Sequence, residues 1–149
     1  GGANTPAFSV SKADNFDISD VTSTKVAFDT EAYDTSSAFA SNKFTVPSGQ
    51  DGKYFFYTRV RFQKGGVSEY NIQFKKNNGV VAQRYVYSGS VGTTIATMDY
   101  FSYDVSCSLD LSVGDYMEVF LYMNSTDGGA CTINGGIAHN EFTGFKLIT

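Results

Sequence analysis

Residues 54–62 read Tyr-Phe-Phe-Tyr-Thr-Arg-Val-Arg-Phe. Side chains alternate across a strand, so Tyr54, Phe56, Thr58, Val60 and Phe62 share one face, while Phe55, Tyr57, Arg59 and Arg61 share the other. The first face is almost wholly apolar. The second starts aromatic and turns basic along its length, as in a sandwich strand that reaches an edge or opening. The same period returns at Tyr70 to Lys75, where Tyr70, Ile72 and Phe74 oppose Asn71, Gln73 and Lys75. Asn77-Asn78-Gly79 then supplies a hairpin turn, and Val80 to Tyr87 reads as the returning arm. Tyr116, Glu118, Phe120 and Tyr122 alternate with Met117, Val119, Leu121 and Met123. Shorter strands are expected at Ala7 to Val10, Lys25 to Phe28, Phe44 to Val46 and Glu141 to Ile148. Ile95 to Leu111 is long for one strand and is expected to bend. Gly65-Gly66, Gly128-Gly129 and Gly135-Gly136 punctuate these runs. Thr30 to Asn42, the nearest approach to a helix, is too rich in Ser, Thr and Asp. The pattern is that of an all-β sandwich or barrel.

Composition agrees. The 149 residues suit one domain, with 13 Phe, 10 Tyr and no Trp. Aromatic and β-branched residues favour strands. Charged residues make up 17%, and the net charge of −4 argues against nucleic acid or an anionic membrane as partner, since both require clustered Lys and Arg. No apolar run approaches the length of a spanning helix. Residues 1–6 are read as a disordered or cloning-derived N-terminal segment, and residues 7–149 as the globular domain. Two cysteines, Cys107 and Cys131, leave a disulfide and two free thiols both open, and their number does not suit zinc.

The chemistry-bearing residues point away from catalysis. His139 is the sole histidine, and Ser88-Gly89-Ser90-Val91-Gly92 lacks the nucleophile-elbow pattern. Asp99, Asp104, Asp110, Asp115 and Glu118 are scattered by strand alternation and turns, and Asp115 reads as a turn residue after Gly114. Asp14, Asp17 and Asp20 recur in a segment expected to be irregular, which makes them candidate calcium ligands. Arg59, Arg61 and Lys64 form a small basic cluster. The segment from Asn124 to Gly136 is rich in Asn, Ser, Thr and Gly. With Tyr116 and Tyr122 nearby, it supplies the mixture of adaptable hydrogen bonding and flat aromatic area found on recognition surfaces. Tyr116, Tyr122, Asn124, Thr126 and Asp127 are the candidate ligand-binding residues, for a surface glycan or a protein. Asn124-Ser125-Thr126 also fits the N-glycosylation pattern.

Several segments, taken in order, resemble the globular head of the complement C1q family, a branch of the tumour necrosis factor-like jelly rolls. They are Ala7 to Val10, Val26-Ala27-Phe28 with Tyr33, Phe44 to Pro47 followed by Gly52 to Phe56, and Phe74 with Lys76 and Asn77 to Gly79. Leu109-Asp110-Leu111 with Gly114-Asp115, and Phe142 to Leu147, complete the set. The resemblance covers nearly the whole chain. Pro47 to Gly52 is longer than in the family, Asp34 stands where the family usually has Asn, and no collagen-like Gly-X-Y stretch is present. The resemblance implies a ten-stranded jelly-roll sandwich that assembles as a compact homotrimer, a non-enzymatic head located outside the cell, either secreted or on the surface of a cell, spore or virion. Aromatic residues on both faces of Tyr54 to Tyr57 suit such an assembly, because a threefold interface adds a second buried surface. Three functions fit it: the tip of a bacterial or viral fibre, a secreted animal lectin or immune protein, or a structural trimerisation cap without ligand.

Overall fold

The computed structural model describes residues 2–87 and 98–148. Thirteen described strands form two antiparallel sheets. The first sheet holds β1 (Ala7–Ser11), β2 (Phe16–Ile18), β4 (Thr30–Asp34), β7 (Gly52–Gln63), β10 (Tyr100–Leu111), β12 (Cys131–Ile133) and β13 (Glu141–Lys146). The second holds β3 (Thr24–Lys25), β5 (Phe39–Ala40), β6 (Lys43–Thr45), β8 (Val67–Lys76), β9 (Gly79–Tyr87) and β11 (Tyr116–Ser125). The count exceeds ten because pieces of two or three residues, β2, β3 and β5 among them, pair along the longer strands. No helix forms among the described residues, so none is long and apolar enough to cross a membrane.

β7 is the spine of the first sheet. β10 follows its whole length in unbroken register from Tyr100 opposite Gln63 to Leu111 opposite Gly52. On the other side β13 and β12 share it end to end. The expected bend in a strand beginning at Ile95 falls partly on residues 88–97, outside the described residues; from Tyr100 onward β10 runs without a bulge.

The alternation in β7 sets the core. Tyr54, Phe56, Thr58, Val60 and Phe62 are all fully buried, and so are Ile72 and Phe74 of β8 and Met117, Val119, Leu121 and Met123 of β11. Phe142 of β13 sits at the centre, with ring centroids 4.9 Å from Phe8, 5.6 Å from Phe74, 5.7 Å from Phe28, 5.9 Å from Phe39 and 6.2 Å from Phe56. Such pairs add about 0.5–1.5 kcal/mol each beyond area burial. Three buried hydroxyls are satisfied by backbone carbonyls: Thr58 Oγ1 donates to the Glu141 carbonyl at 2.7 Å, and Tyr54 and Tyr70 donate to the carbonyls of Gln50 and Lys64. Gly144 lies where β13 passes beneath the rings, and a Cβ there would come within 2.4 Å of Phe56 and 2.9 Å of Phe8.

The β8–β9 hairpin turns at Asn77 and Asn78, both with positive φ (48° and 70°), which a two-residue turn of this twist requires. Asn77 also braces the second sheet. Its Nδ2 donates to Asp115 at 2.7 Å, and its Oδ1 accepts from the Tyr116 N–H. Lys76 is 2.8 Å from the same carboxylate. Hydrogen bonding from Lys76, then from the Ser112 N–H and Asn77, holds the Asp115 carboxyl down at about 2. A lowered folded-state value means the contribution is complete above the unfolded value near 3.8 and is lost as pH falls towards 2. Asp115→Asn should therefore cost about 1 kcal/mol at neutral pH after solvent screening. In urea titrations at a series of pH values, the gap to the parent chain should close near pH 2.

Candidate functional site

The five residues expected to bind ligand do not form one site. Asn124 lies at the end of β11 on the outer face of the second sheet, and Tyr122 shares that face. Tyr116 is on the same face but at the other end of β11, roughly 20 Å away at the rise of a strand, beneath the Lys43 ammonium at 4.3 Å. Thr126 is tied down by two bonds to the Gly66 carbonyl, one from its N–H at 2.7 Å and one from its hydroxyl at 2.8 Å. Asp127 accepts from the Gly129 N–H and pairs with Lys64 at 3.0 Å, which together hold its carboxyl at about 2. The expected loop from Asn124 to Gly136 is thus a braced turn followed by β12, whose three residues pair with β2 and whose last two, Thr132 and Ile133, also pair with β7.

The three candidate calcium ligands are dispersed over the same region. Asp17 is not in an irregular segment but in β2, where its carboxylate accepts from Thr132 Oγ1 at 2.7 Å. Asp20 accepts from the Ser125 N–H at 2.6 Å, and Asp14 is exposed. Each carboxylate serves a different segment, and no group of three His, Cys, Asp or Glu side chains is placed to hold a metal among the described residues. Of the two alternatives open for the cysteines, the structure has the second, with Cys107 and Cys131 both free thiols. Cys107 lies opposite Phe56, whereas Thr132, beside Cys131, lies opposite Gln63 at the other end of β7. That offset is roughly 20 Å, far beyond the reach of a disulfide. Burial raises both thiols to about 11, which keeps them protonated at neutral pH. His139 stands in the turn after β12, its N–H donating to the Gly136 carbonyl.

Two outer sheet faces carry the surface chemistry. On the first sheet, Phe55 and Phe145 are opposite one another with rings 5.5 Å apart. The next row runs Tyr33, Ser9, Thr143, Tyr57 and Ser106. Phe55, Tyr57 and Phe145 are half-buried and Tyr33 is exposed. β10 contributes only Ser106 and Ser108 beside them, so this margin stands low. Arg59, between Glu141 and Asp104 in the following row, is 3.5 Å from Glu141 and donates to the Ile137 carbonyl. The basic cluster is engaged internally, since Arg61 donates to Asn134 and Lys64 pairs with Asp127. Desolvation, and then the Asp104 charge, push the Tyr57 hydroxyl upward.

On the second sheet, the outer face of β11, β8 and β9 forms three cross-strand rows. They are Asn124–Glu69–Tyr87, Tyr122–Asn71–Tyr85 and Phe120–Gln73–Gln83. Asn71 Nδ2 and Gln73 Nε2 both donate to Gln83 Oε1, at 3.0 and 3.3 Å. Glu69 accepts a hydrogen bond from Tyr85, which raises that hydroxyl. Burial, then Glu69 and Asp20, raise the Tyr122 hydroxyl. Lys75 is 3.8 Å above the Phe120 ring, and Lys25 pairs with Glu118 at 2.8 Å. Glu69, Asn71, Tyr85 and Tyr87 were not among the residues singled out from the sequence. The signal was there in the polar side of Tyr70 to Lys75 and in the tyrosines of the returning arm.

Two sheets packed face to face around one aromatic core, with a spine strand paired to distant parts of the chain, define a jelly-roll β-sandwich. The particular version is the C1q and tumour necrosis factor-like fold. The globular domain of the zebrafish complement 1qA protein matches with a TM-score of 0.65 at 16% identity, covering 97% of this chain and 98% of that one. The structure of Eiger TNF from S. frugiperda matches at 0.68 with 14% identity, covering 95% and 92%. Murine APRIL at pH 8.0 matches at 0.68 with 12% identity, covering 95% and 98%. No protein-family model and no curated protein sequence matches the chain.

Proposed function

We propose that this chain is a non-enzymatic recognition head that works outside the cell as a homotrimer and binds its ligand multivalently. The reading rests above all on the outer face of the first sheet. Phe55, Tyr57 and Phe145 form an aromatic strip there, with Tyr33 exposed beside it and the small side chains of Ser106 and Ser108 on its other flank. A low, apolar strip with a charged margin of Arg59, Glu141 and Asp104 has the make-up of a protein interface, with a core that excludes water and a rim that sets the register. The jelly-roll likeness supports a second copy of this chain as the partner. Three weak sites on one rigid body gain about 10²–10⁴ in avidity where the geometry allows simultaneous engagement. The Ser, Thr, Asn and Gly-rich connections favour the tip of a bacterial or viral fibre as the setting.

Light scattering behind size exclusion tests the assembly. The expected mass is about three times 16.2 kDa, and a fall in mass on adding a calcium chelator would add a metal to the assembly. A stable mass of 16.2 kDa would overturn the reading.

A further inference from the structure

We infer that the outer face of the second sheet, centred on Asn71, is a binding site for a neutral saccharide. The inference rests on the recognition reading above and supplies its place and ligand class. Asn71 points outward from β8, yet only 7% of it is exposed. Its Nδ2 is used by Gln83, while its buried Oδ1 has no hydrogen-bond partner among the described residues. A buried acceptor left unpaired costs on the order of 1–3 kcal/mol in a protein, so an orphan of this kind calls for an explanation. The outer-face side chains flanking it across the strands are Tyr122 and Tyr85. Tyr85 is half exposed, so a change of its ring rotamer gives a ligand access to the amide without moving the backbone.

The surroundings select the ligand. Glu69, one row away, is an acceptor, and Gln73 and Gln83 add amides on the other side. The rings of Tyr85 and Tyr87 lie within 17° of parallel with centroids 6.3 Å apart, and Tyr87 is 62% exposed. A surface that combines flat apolar rings with fixed acceptors fits a molecule with C–H faces and several hydroxyl donors, as a pyranose has. Glu69, with Asp20 close enough to act on Tyr122, repels sulfated, phosphorylated or carboxylated sugars. Of the nearby cations, Lys25 is paired with Glu118, and Lys75 lies over Phe120, three rows from Glu69 along β8. A quaternary ammonium would suit the rings and Glu69 but has no proton to donate to Asn71 Oδ1.

The test uses the assembled protein and side-chain amide NMR. The neutral probes are the methyl glycosides of glucose, galactose, mannose, fucose and N-acetylglucosamine, each at about 10 mM, where shallow single sites are populated. N-acetylneuraminic acid and tetramethylammonium are the controls. At least one neutral sugar should shift the Asn71 and Gln83 side-chain amides. Tyr85→Ala and Tyr122→Ala should each weaken that binding by roughly tenfold or more, with the core amide spectrum unchanged. Silence from all five sugars overturns the inference, as does tighter binding of either control. Sugar binding that survives both substitutions overturns this placement while leaving a recognition head intact. A trimeric mass alongside silence separates failure of the saccharide site from failure of the assembly.

Discussion

Phe142→Ala should lower the free energy of unfolding by about 3–5 kcal/mol, the range for deleting a buried aromatic ring. Phe142 is fully buried and lies against five other rings, four from the two sheets and Phe28 from the connection between β3 and β4. Truncation removes the transfer free energy of the ring and leaves a cavity. Neighbouring rings fixed to β1, β7 and β8 cannot collapse fully into that space, because their backbones are held by ladders to other strands. Urea titration at fixed protein concentration should show the midpoint falling with little change in slope, since the surface exposed on unfolding is nearly the same. Phe120→Ala is the matched control. That ring is half-buried on the outer face beneath Lys75, and its loss should cost less than about 1 kcal/mol. Equal losses for the two would mean that the Phe142 cluster is not the centre of the core.

The second large effect concerns assembly. The double substitution Phe55→Asp with Tyr57→Asp should reduce the scattering mass from about three times 16.2 kDa to 16.2 kDa, with the far-ultraviolet circular dichroism unchanged. Both side chains point out of β7, so in a separated protomer the new carboxylates face water. The isolated fold loses chiefly the Phe55–Phe145 ring contact, about 0.5–1.5 kcal/mol. Within an interface, the same carboxylates are buried without partners at several kcal/mol each, repeated in every protomer. A trimeric mass for the double variant would show that the interface lies elsewhere. Tyr33→Asp, at an exposed outward position in β4, should weaken the assembly less.

What was legible in the sequence has a local cause. The period of two in β7 separates core from surface because a pleated strand allows no other division, and all five residues assigned to the apolar side are buried. The Asn77-Asn78 turn could be read because few residues tolerate positive φ in succession. The jelly-roll resemblance held because it rested on these local devices in sequence order.

What escaped the sequence depends on partners far along the chain. Phe16-Asp17-Ile18 is too short to read as a strand, and it becomes one only because Cys131–Ile133 pairs with it, with Thr132 donating to the Asp17 carboxylate. Cys107 and Cys131 are well spaced for a disulfide in sequence and are held apart by their positions along β7. The row Tyr122–Asn71–Tyr85 spans three strands. Its alignment depends on register, which shifts between Phe74 and Lys75 on one side of β8 and between Asn124 and Ser125 on the other. Alternation along a strand is intrinsic to its own residues, so the amino-acid order alone decides which side chains face the core. Which outward side chains meet is decided only when separate strands lock their hydrogen bonds, because a slip of one residue in any ladder would face every side chain the other way.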